Sequence, residues 1–151
     1  MNRSECKVET ITDSDTIEQV LLMFDISFPR SLSERVGNIR TYAEKLSKNA
    51  TVDIISSEDK IIGFSAYYCN DVLTKQAFLT QIAVSGTYRG LQIGSVLLEY
   101  CIETSKQKGM EKLICEVDDT NSVAIKFYER HGFVFVKKAS DSSRYLEKVI
   151  I

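Results

Sequence analysis

The sequence predicts a single α/β domain over residues 1–151, and three observations carry that expectation. The apolar period switches repeatedly between 2 and 3.6 along the chain, as strands alternating with helices require. A glycine-bearing segment near residue 90 joins a β-branched run to a long amphipathic one, which is a strand-to-helix turn. The 151 residues, 44% hydrophobic and 26% charged, suffice for one core and contain no linker, repeat or low-complexity tract.

Seven strands and four helices follow in order. Residues 8–12 alternate and are β-branched, giving a first strand. Asp15 and Glu18 resemble a capping pair, and Ile17, Val20, Leu21 and Phe24 share the helical face behind them. Pro29, the only proline, separates this helix from the next. That second helix opens on the capping box Ser31-Leu32-Ser33-Glu34 and carries Leu32, Val36, Ile39, Ala43 and Leu46 at helical spacing. Residues 51–55 and 61–68 read as a hairpin around the polar turn Ser57-Glu58-Asp59-Lys60. A strand over 77–84 precedes a helix from Ile93, with Ile93, Val96, Leu97, Tyr100, Cys101 and Thr104 on one face and Gly109 as its stop. A strand over 113–117, a helix over 121–131 closed by Gly132, and strands over 133–136 and 144–151 complete the pattern.

Composition narrows the function. A net charge of −2, with Lys and Arg scattered, gives no footprint for nucleic acid. Cys6, Cys69, Cys101 and Cys115 lie far apart without a CxxC, and one histidine cannot complete a zinc set, so no metal is expected. No signal-like h-region and no run of about 18 apolar residues is visible, so neither secretion nor a membrane partner is expected. Asn2-Arg3-Ser4 and Asn49-Ala50-Thr51 then match the glycosylation tripeptide by chance. Reduced thiols in a cytoplasm, in a monomer or homodimer, are the simplest expectation.

The turn Tyr88-Arg89-Gly90-Leu91-Gln92-Ile93-Gly94-Ser95 is the most informative segment. A glycine-bearing turn feeding a helix offers free backbone N–H groups and the positive end of a dipole, a ready phosphate site. Arg89 adds a charge-assisted contact. Walker and Rossmann patterns are absent. On two glycines alone, a tight turn that binds nothing is the favoured reading.

The longer stretch, Ile82-Ala83-Val84 through Tyr88-Arg89-Gly90-Leu91-Gln92-Ile93-Gly94-Ser95-Val96-Leu97-Leu98, closely resembles the cofactor motif of the GNAT superfamily of N-acetyltransferases. That motif has Arg or Gln, two residues, Gly, one residue, then Gly or Ala. Arg89 and Gly94 match it, and Gln92 stands where its first glycine would be. Residues 113–117 and Asn121 through Phe133 resemble the family's strand–helix–strand C-terminal half. The resemblance covers residues 50–138 and implies a mixed central sheet of 6–7 strands flanked by four helices. It also implies acetyl-CoA as cosubstrate and an amine acceptor as partner.

Residue by residue, the resemblance implies that Ile82, Ala83 and Val84 meet the acetyl group and pantetheine arm through their backbone. Arg89, Gly90, Leu91, Gln92, Ile93, Gly94 and Ser95 line the pyrophosphate. Asn121 contacts the pantetheine arm, although Asn at a helix start is also simply an N-cap. Tyr128 hydrogen-bonds to or protonates the departing thiolate; a thiol of pKa about 8.5 and a phenol of about 10 allow it. Glu116 shares a strand face with Ile114, opposite Cys115 and Val117. Partial desolvation there would suit it as the base that deprotonates the amine. Gln81 cannot be a base and is a positioning candidate. His131 caps its helix, and Cys115 is a buried, inert thiol. Asp25, Arg30, Arg35 and Asp71 could reach a polar acceptor or be plain surface charge.

The expected function is acetyl transfer to a primary amine by direct attack in a ternary complex, with a small-molecule amine favoured. The alternatives are a protein N-terminal or lysine acetyltransferase and a non-catalytic acetyl-CoA-binding module.

Overall fold

The computed structural model describes residues 6–28, 30–90 and 92–151, so Pro29, Leu91 and the Asn2-Arg3-Ser4 tripeptide lie outside the described residues. Seven strands form one sheet: β1 (Cys6–Ile11), β2 (Thr51–Ser57), β3 (Lys60–Asp71), β4 (Gln76–Val84), β5 (Lys112–Asp118), β6 (Val134–Lys138) and β7 (Ser143–Val149). Their spatial order is β1-β2-β3-β4-β5-β7-β6. Every neighbouring pair is antiparallel except β4 and β5. That parallel pair needs a crossover, which helix α4 (Ile93–Gln107) supplies.

The other helices are α1 (Ser14–Met23), α2 (Leu32–Val36), α3 (Ile39–Asn49) and α5 (Ser122–Arg130). Five helices therefore replace the four expected, because the second expected helix is two. Gly37 takes φ +77°, which ends α2, and the Asn38 side chain accepts from Thr41 N–H to start α3. The Ser31 cap holds, its hydroxyl accepting from Glu34 N–H. The first cap is Asp13, not Asp15: Asp13 accepts from Thr16 N–H, and Asp15 pairs with Arg40 of α3.

Local chemistry explains the hairpin. Glu58 and Asp59 both take positive φ (52° and 64°), the two-residue turn whose twist matches the flanking strands. α1, α2 and α3 cover one face of the sheet, where Ile17, Val20, Leu21, Phe24, Leu32 and Leu46 meet Val52, Ile54, Phe64, Ala66 and Ala83. Each such side chain contributes roughly 1.5–3 kcal/mol by leaving water. α4 and α5 cover the opposite face, against Ile55, Ile62, Tyr67, Leu79 and Cys115. The buried face of α4 differs from the expected one: Leu98 and Ser105 point inward and Tyr100 is exposed.

One irregularity positions the site. Ala66 of β3 pairs with Gln81, but the next residue, Tyr67, pairs with Leu79, so Thr80 is an extra residue bulging from β4. Across the bulge the side-chain faces exchange. Leu79 packs beneath α4 and α5, whereas Ala83 packs beneath α1–α3 and Gln81 reaches α2 and α3.

Candidate active site

The bulge falls where β4 and β5 part company. The two strands pair only from Gln76 to Leu79 against Lys112 to Cys115. Beyond that point they diverge, and a cleft of about 590 Å³ opens between them. β4 contributes Leu79 to Ile82, β5 contributes Glu116 to Asp118, and α5 contributes Asn121, Ala124 and Tyr128. Phe28 and Arg30 from the segment before α2, Arg35, Val36 and Tyr42 from α2 and α3, and Ser140, Ser142 and Ser143 from the β6–β7 loop and the start of β7 also line the cleft.

Register determines what β4 offers. Ser85 N–H donates to Ile62 C=O, so alternate pairs along β3–β4 are hydrogen-bonded. Ile82 and Val84 fall at the intervening positions, and their N–H and C=O groups point away from β3. Val84 C=O indeed accepts from Arg89 Nε (3.3 Å). The side chains of Ile82 and Val84 pack with Ile93 and Leu97 beneath α4. The apolar side chains thus point inward, as expected.

At the end of β4 the chain turns into α4. Gln92 takes φ +64°, ψ 20°, the left-handed conformation that glycine adopts freely. The backbone thus keeps a glycine-type geometry although a side chain is present. Gln92 C=O accepts from Val96 N–H, so Ile93, Gly94 and Ser95 form the first turn, whose N–H groups have no carbonyl within the helix. Gly94 is small for a packing reason: a Cβ there would lie 3.3 Å from the Phe127 ring and 3.8 Å from Val84. Gly90 needs no such room but takes φ +84°. Arg89 Nη2 donates to Ser27 C=O (3.0 Å), tying this corner to the segment that leads into Phe28.

Glu116 is exposed and lines the cleft, which corrects the expected desolvation by Ile114: past Cys115 the strand has parted from β4, and no core covers this side chain. Its position is fixed by Ser143, whose hydroxyl donates to Glu116 Oε2 (2.7 Å). That donation uses the only Ser143 proton, so Ser140 Oγ, 2.7 Å away, is the donor in turn. Asp119 holds this loop in place by accepting from Arg144 Nε (2.9 Å) and from Lys138. These contacts keep the Asp119 carboxyl below the usual range, Lys138 contributing most.

Tyr128 is buried, at 7% exposure, and its hydroxyl sits against the Cys115 thiol. Burial raises its pKa well above the ordinary value, with the neighbouring Cys115 second. The phenol therefore keeps its proton throughout the neutral range. Burial likewise pushes the Cys115 thiol up to about 12, so it is a poor nucleophile. Asn121 caps α5 by accepting from Ala124 N–H (3.1 Å), the N-cap reading, and also lines the cleft. His131 Nδ1 meets Phe127 C=O (2.8 Å), the expected cap.

A family model described as the acetyltransferase (GNAT) family matches residues 17–133. The chain belongs to the GNAT acetyltransferase family. A [ribosomal protein bS18]-alanine N-acetyltransferase from Haemophilus influenzae is 40% identical over 75 residues, which is 50% of this chain and 49% of that protein. The chain thus spans about half the length of the curated relatives it matches. Among solved structures, the Escherichia coli ribosomal-protein-S18-alanine N-acetyltransferase superposes with a TM-score of 0.73 over 96% of this chain and 94% of its own, at 21% identity. A Bacillus anthracis protein described as a streptothricin acetyltransferase, in complex with acetyl coenzyme A, gives 0.61 at 27% identity, covering 67% and 62%.

The GNAT fold thus gathers Glu116, Asn121, Tyr128, Ile82 and Gln81 around one cleft. Ala83, Val84, Arg89, Gly90, Gln92, Ile93, Gly94 and Ser95 form the adjoining corner and not the cleft wall; Leu91 lies outside the described residues. Of the four charges left open, Arg30 and Arg35 line the cleft. Asp25 instead accepts from Ser33 N–H (2.7 Å), and Asp71 from Thr74 N–H (3.0 Å). Sequence reasoning missed Ser140, Ser143, Tyr42 and Phe28. The serine-rich run 140–143 signals only a turn, and nothing in it announces contact with a residue 27 positions earlier. Among the described residues no group of three or more His, Cys, Asp or Glu could hold a metal, and no helix is long and apolar enough to cross a membrane.

Proposed function

We propose that this chain is an acetyl-CoA-dependent N-acetyltransferase that transfers the acetyl group directly to a primary amine. The single observation that carries this reading is the juxtaposition in one cleft of an accessible carboxylate, Glu116, and a phenol that holds its proton at neutral pH, Tyr128, beside the strand edge where β4 parts from β5. The residues fit the cosubstrate: outward backbone groups of Ile82 and Val84 suit the pantetheine arm, and the first turn of α4 suits the pyrophosphate. Bound there, acetyl-CoA supplies an activated thioester carbonyl.

Glu116 takes the proton that the amine must lose before its nitrogen can bond to carbon, directly or through water. A backbone N–H at or near Val84 stabilises the developing oxyanion. Tyr128 gives its proton, or a hydrogen bond, to the sulfur as the C–S bond breaks. Ser143 keeps the Glu116 carboxylate aimed into the cleft. A small amine is the favoured acceptor, because the cleft closes with side chains from both the N-terminal helices and the β6–β7 loop. A protein N-terminus is the second reading, favoured by the 40% identity to the bS18-alanine N-acetyltransferase.

Calorimetric titration with acetyl-CoA, followed by thiol release across a panel of amines and peptides, tests the function. Binding plus amine-dependent thiol release is expected. Binding without release on any amine would leave a non-catalytic acetyl-CoA module, and absence of binding would remove both readings.

A further inference from the structure

The acceptor side of the cleft carries a cation whose charge the fold leaves uncompensated. Arg35 of α2 is exposed as a residue and lines the cleft, where contact with its neighbours lowers the pKa of its guanidinium. Its partners are neutral. Nη2 donates to Gln81 Oε1 (3.0 Å), Nε donates to Arg30 C=O (3.3 Å), and the guanidinium lies 4.6 Å from the centre of the Phe28 ring. Among the described residues no carboxylate lies within ion-pair distance of it. Arg30 next to it differs: it is largely exposed, pairs with Glu34 (3.9 Å), and its charge reaches Asp118 across the cleft. A guanidinium oriented by neutral partners on the cleft wall, with no carboxylate beside it, keeps its remaining N–H groups for an anion that enters the cleft.

The surrounding groups form a receptor. Gln81 Nε2 donates to Tyr42 Oη (3.0 Å), which leaves the Tyr42 proton free to donate in turn, and Tyr42 lines the same cleft. The Gln81 side chain is thereby fixed at both ends, and it faces this wall only because of the bulge at Thr80. Across the cleft stands Glu116 with Asp118 beside it. One guanidinium fork and one phenol suit a planar monoanion better than a dianionic phosphate, which two facing carboxylates would repel.

Resting on the transferase reading above, we propose that Arg35, held by Gln81 and assisted by Tyr42, binds a carboxylate on the acceptor, so that the preferred substrate is a small amine carrying a carboxylate. The amine end then faces Glu116 and the acid end faces Arg35, and the cleft is read by opposite charges at its two walls.

The test is thiol release from acetyl-CoA with matched amines that differ only at the acid: glycine, β-alanine and 4-aminobutyrate, each against its carboxamide. At least one chain length should favour the carboxylate by roughly 10–100-fold in kcat/KM, the worth of hydrogen bonds to a charged group. Arg35→Gln should bring that ratio to about one, Arg35→Lys should restore part of it, and Tyr42→Phe should lower it less. Thermal midpoints of the variants guard against misfolding, and the ratio is internal to each variant. Equal rates on acid and amide in the unsubstituted protein, or an unchanged ratio in Arg35→Gln, would overturn the proposal while leaving the transferase reading intact. Acetyl-CoA binding with no release on either series would instead sink the transferase reading and this proposal with it.

Discussion

The two sides of the cleft are built from different materials. The corner between β4 and α4 presents backbone: outward peptide groups at Ile82 and Val84, and the first-turn N–H groups of α4. The opposing walls present side chains: Glu116 and Tyr128 from β5 and α5, Arg35 and Tyr42 from the N-terminal helices, Ser143 from β7. A backbone site tolerates side-chain replacement wherever the backbone conformation survives, as Gln92 illustrates by holding φ +64°. A side-chain site does not. Substitutions should therefore divide by wall, with chemistry lost on one side and only conformation or affinity altered on the other.

The largest effect is expected at Glu116. Glu116→Gln should lower the maximal rate by roughly 10²–10⁴ with acetyl-CoA affinity retained, read by thiol release and titration. Loss below tenfold would deny the carboxylate its role as base. Tyr128→Phe should cost roughly 10–100-fold in turnover, the worth of one hydrogen bond to a thiolate, again with affinity kept. Equal loss of affinity would make Tyr128 a packing residue only.

On the corner side the sharpest probe is Gly63 of β3, which faces Val84. A Cβ there would meet Ala83 C=O at 2.9 Å and Ile55 at 3.0 Å. Gly63→Ala should cost roughly 1–3 kcal/mol of stability by denaturant titration, with kcat on the surviving folded fraction little changed. Gln92→Gly relieves a left-handed non-glycine residue and should add about 1 kcal/mol, with acetyl-CoA bound at least as well. A loss of affinity would mean that the Gln92 side chain itself takes part.

Alkaline pH probes the buried layer beneath the cleft. Cys115, pushed up to about 12 by burial, binds its proton more tightly when folded than when unfolded, where its value is about 9. Its contribution is full below pH 9 and is lost as pH climbs towards 12; Tyr128, also raised, acts in the same direction. The thermal midpoint should fall across that window, and less steeply in Cys115→Ala. An identical slope would show that this pair does not govern alkaline unfolding.

How much was legible in the sequence follows the same division. The corner was readable because backbone sites leave short, contiguous patterns: a strand, a turn with Arg89 and Gly94, a helix. The places of the seven strands along the chain and the buried face of α1 were readable from period, β-branching and turn residues; the order of the strands in the sheet was not. The break between α2 and α3 was not, because Leu32 through Leu46 keep helical spacing across Gly37 and hide the cap at Asn38. The bulge at Thr80 was not either. Simple alternation places Gln81 on the same face as Leu79, and only the slipped pairing with β3 turns it towards Arg35 and Tyr42. The Arg35–Gln81 contact spans 46 positions and Ser143–Glu116 spans 27, so no local pattern carries them. Glu116 was singled out by its strand position, but its exposure depended on the divergence of β4 from β5, which no strand reveals by itself.

Direct transfer across the cleft is tested most squarely by initial-rate kinetics in which acetyl-CoA and the acceptor amine are varied together. With both substrates in one cleft, and with Cys101 and Cys115 held protonated by burial, the double-reciprocal lines should intersect. Parallel lines, the signature of an acetylated side chain formed before the amine binds, would contradict it.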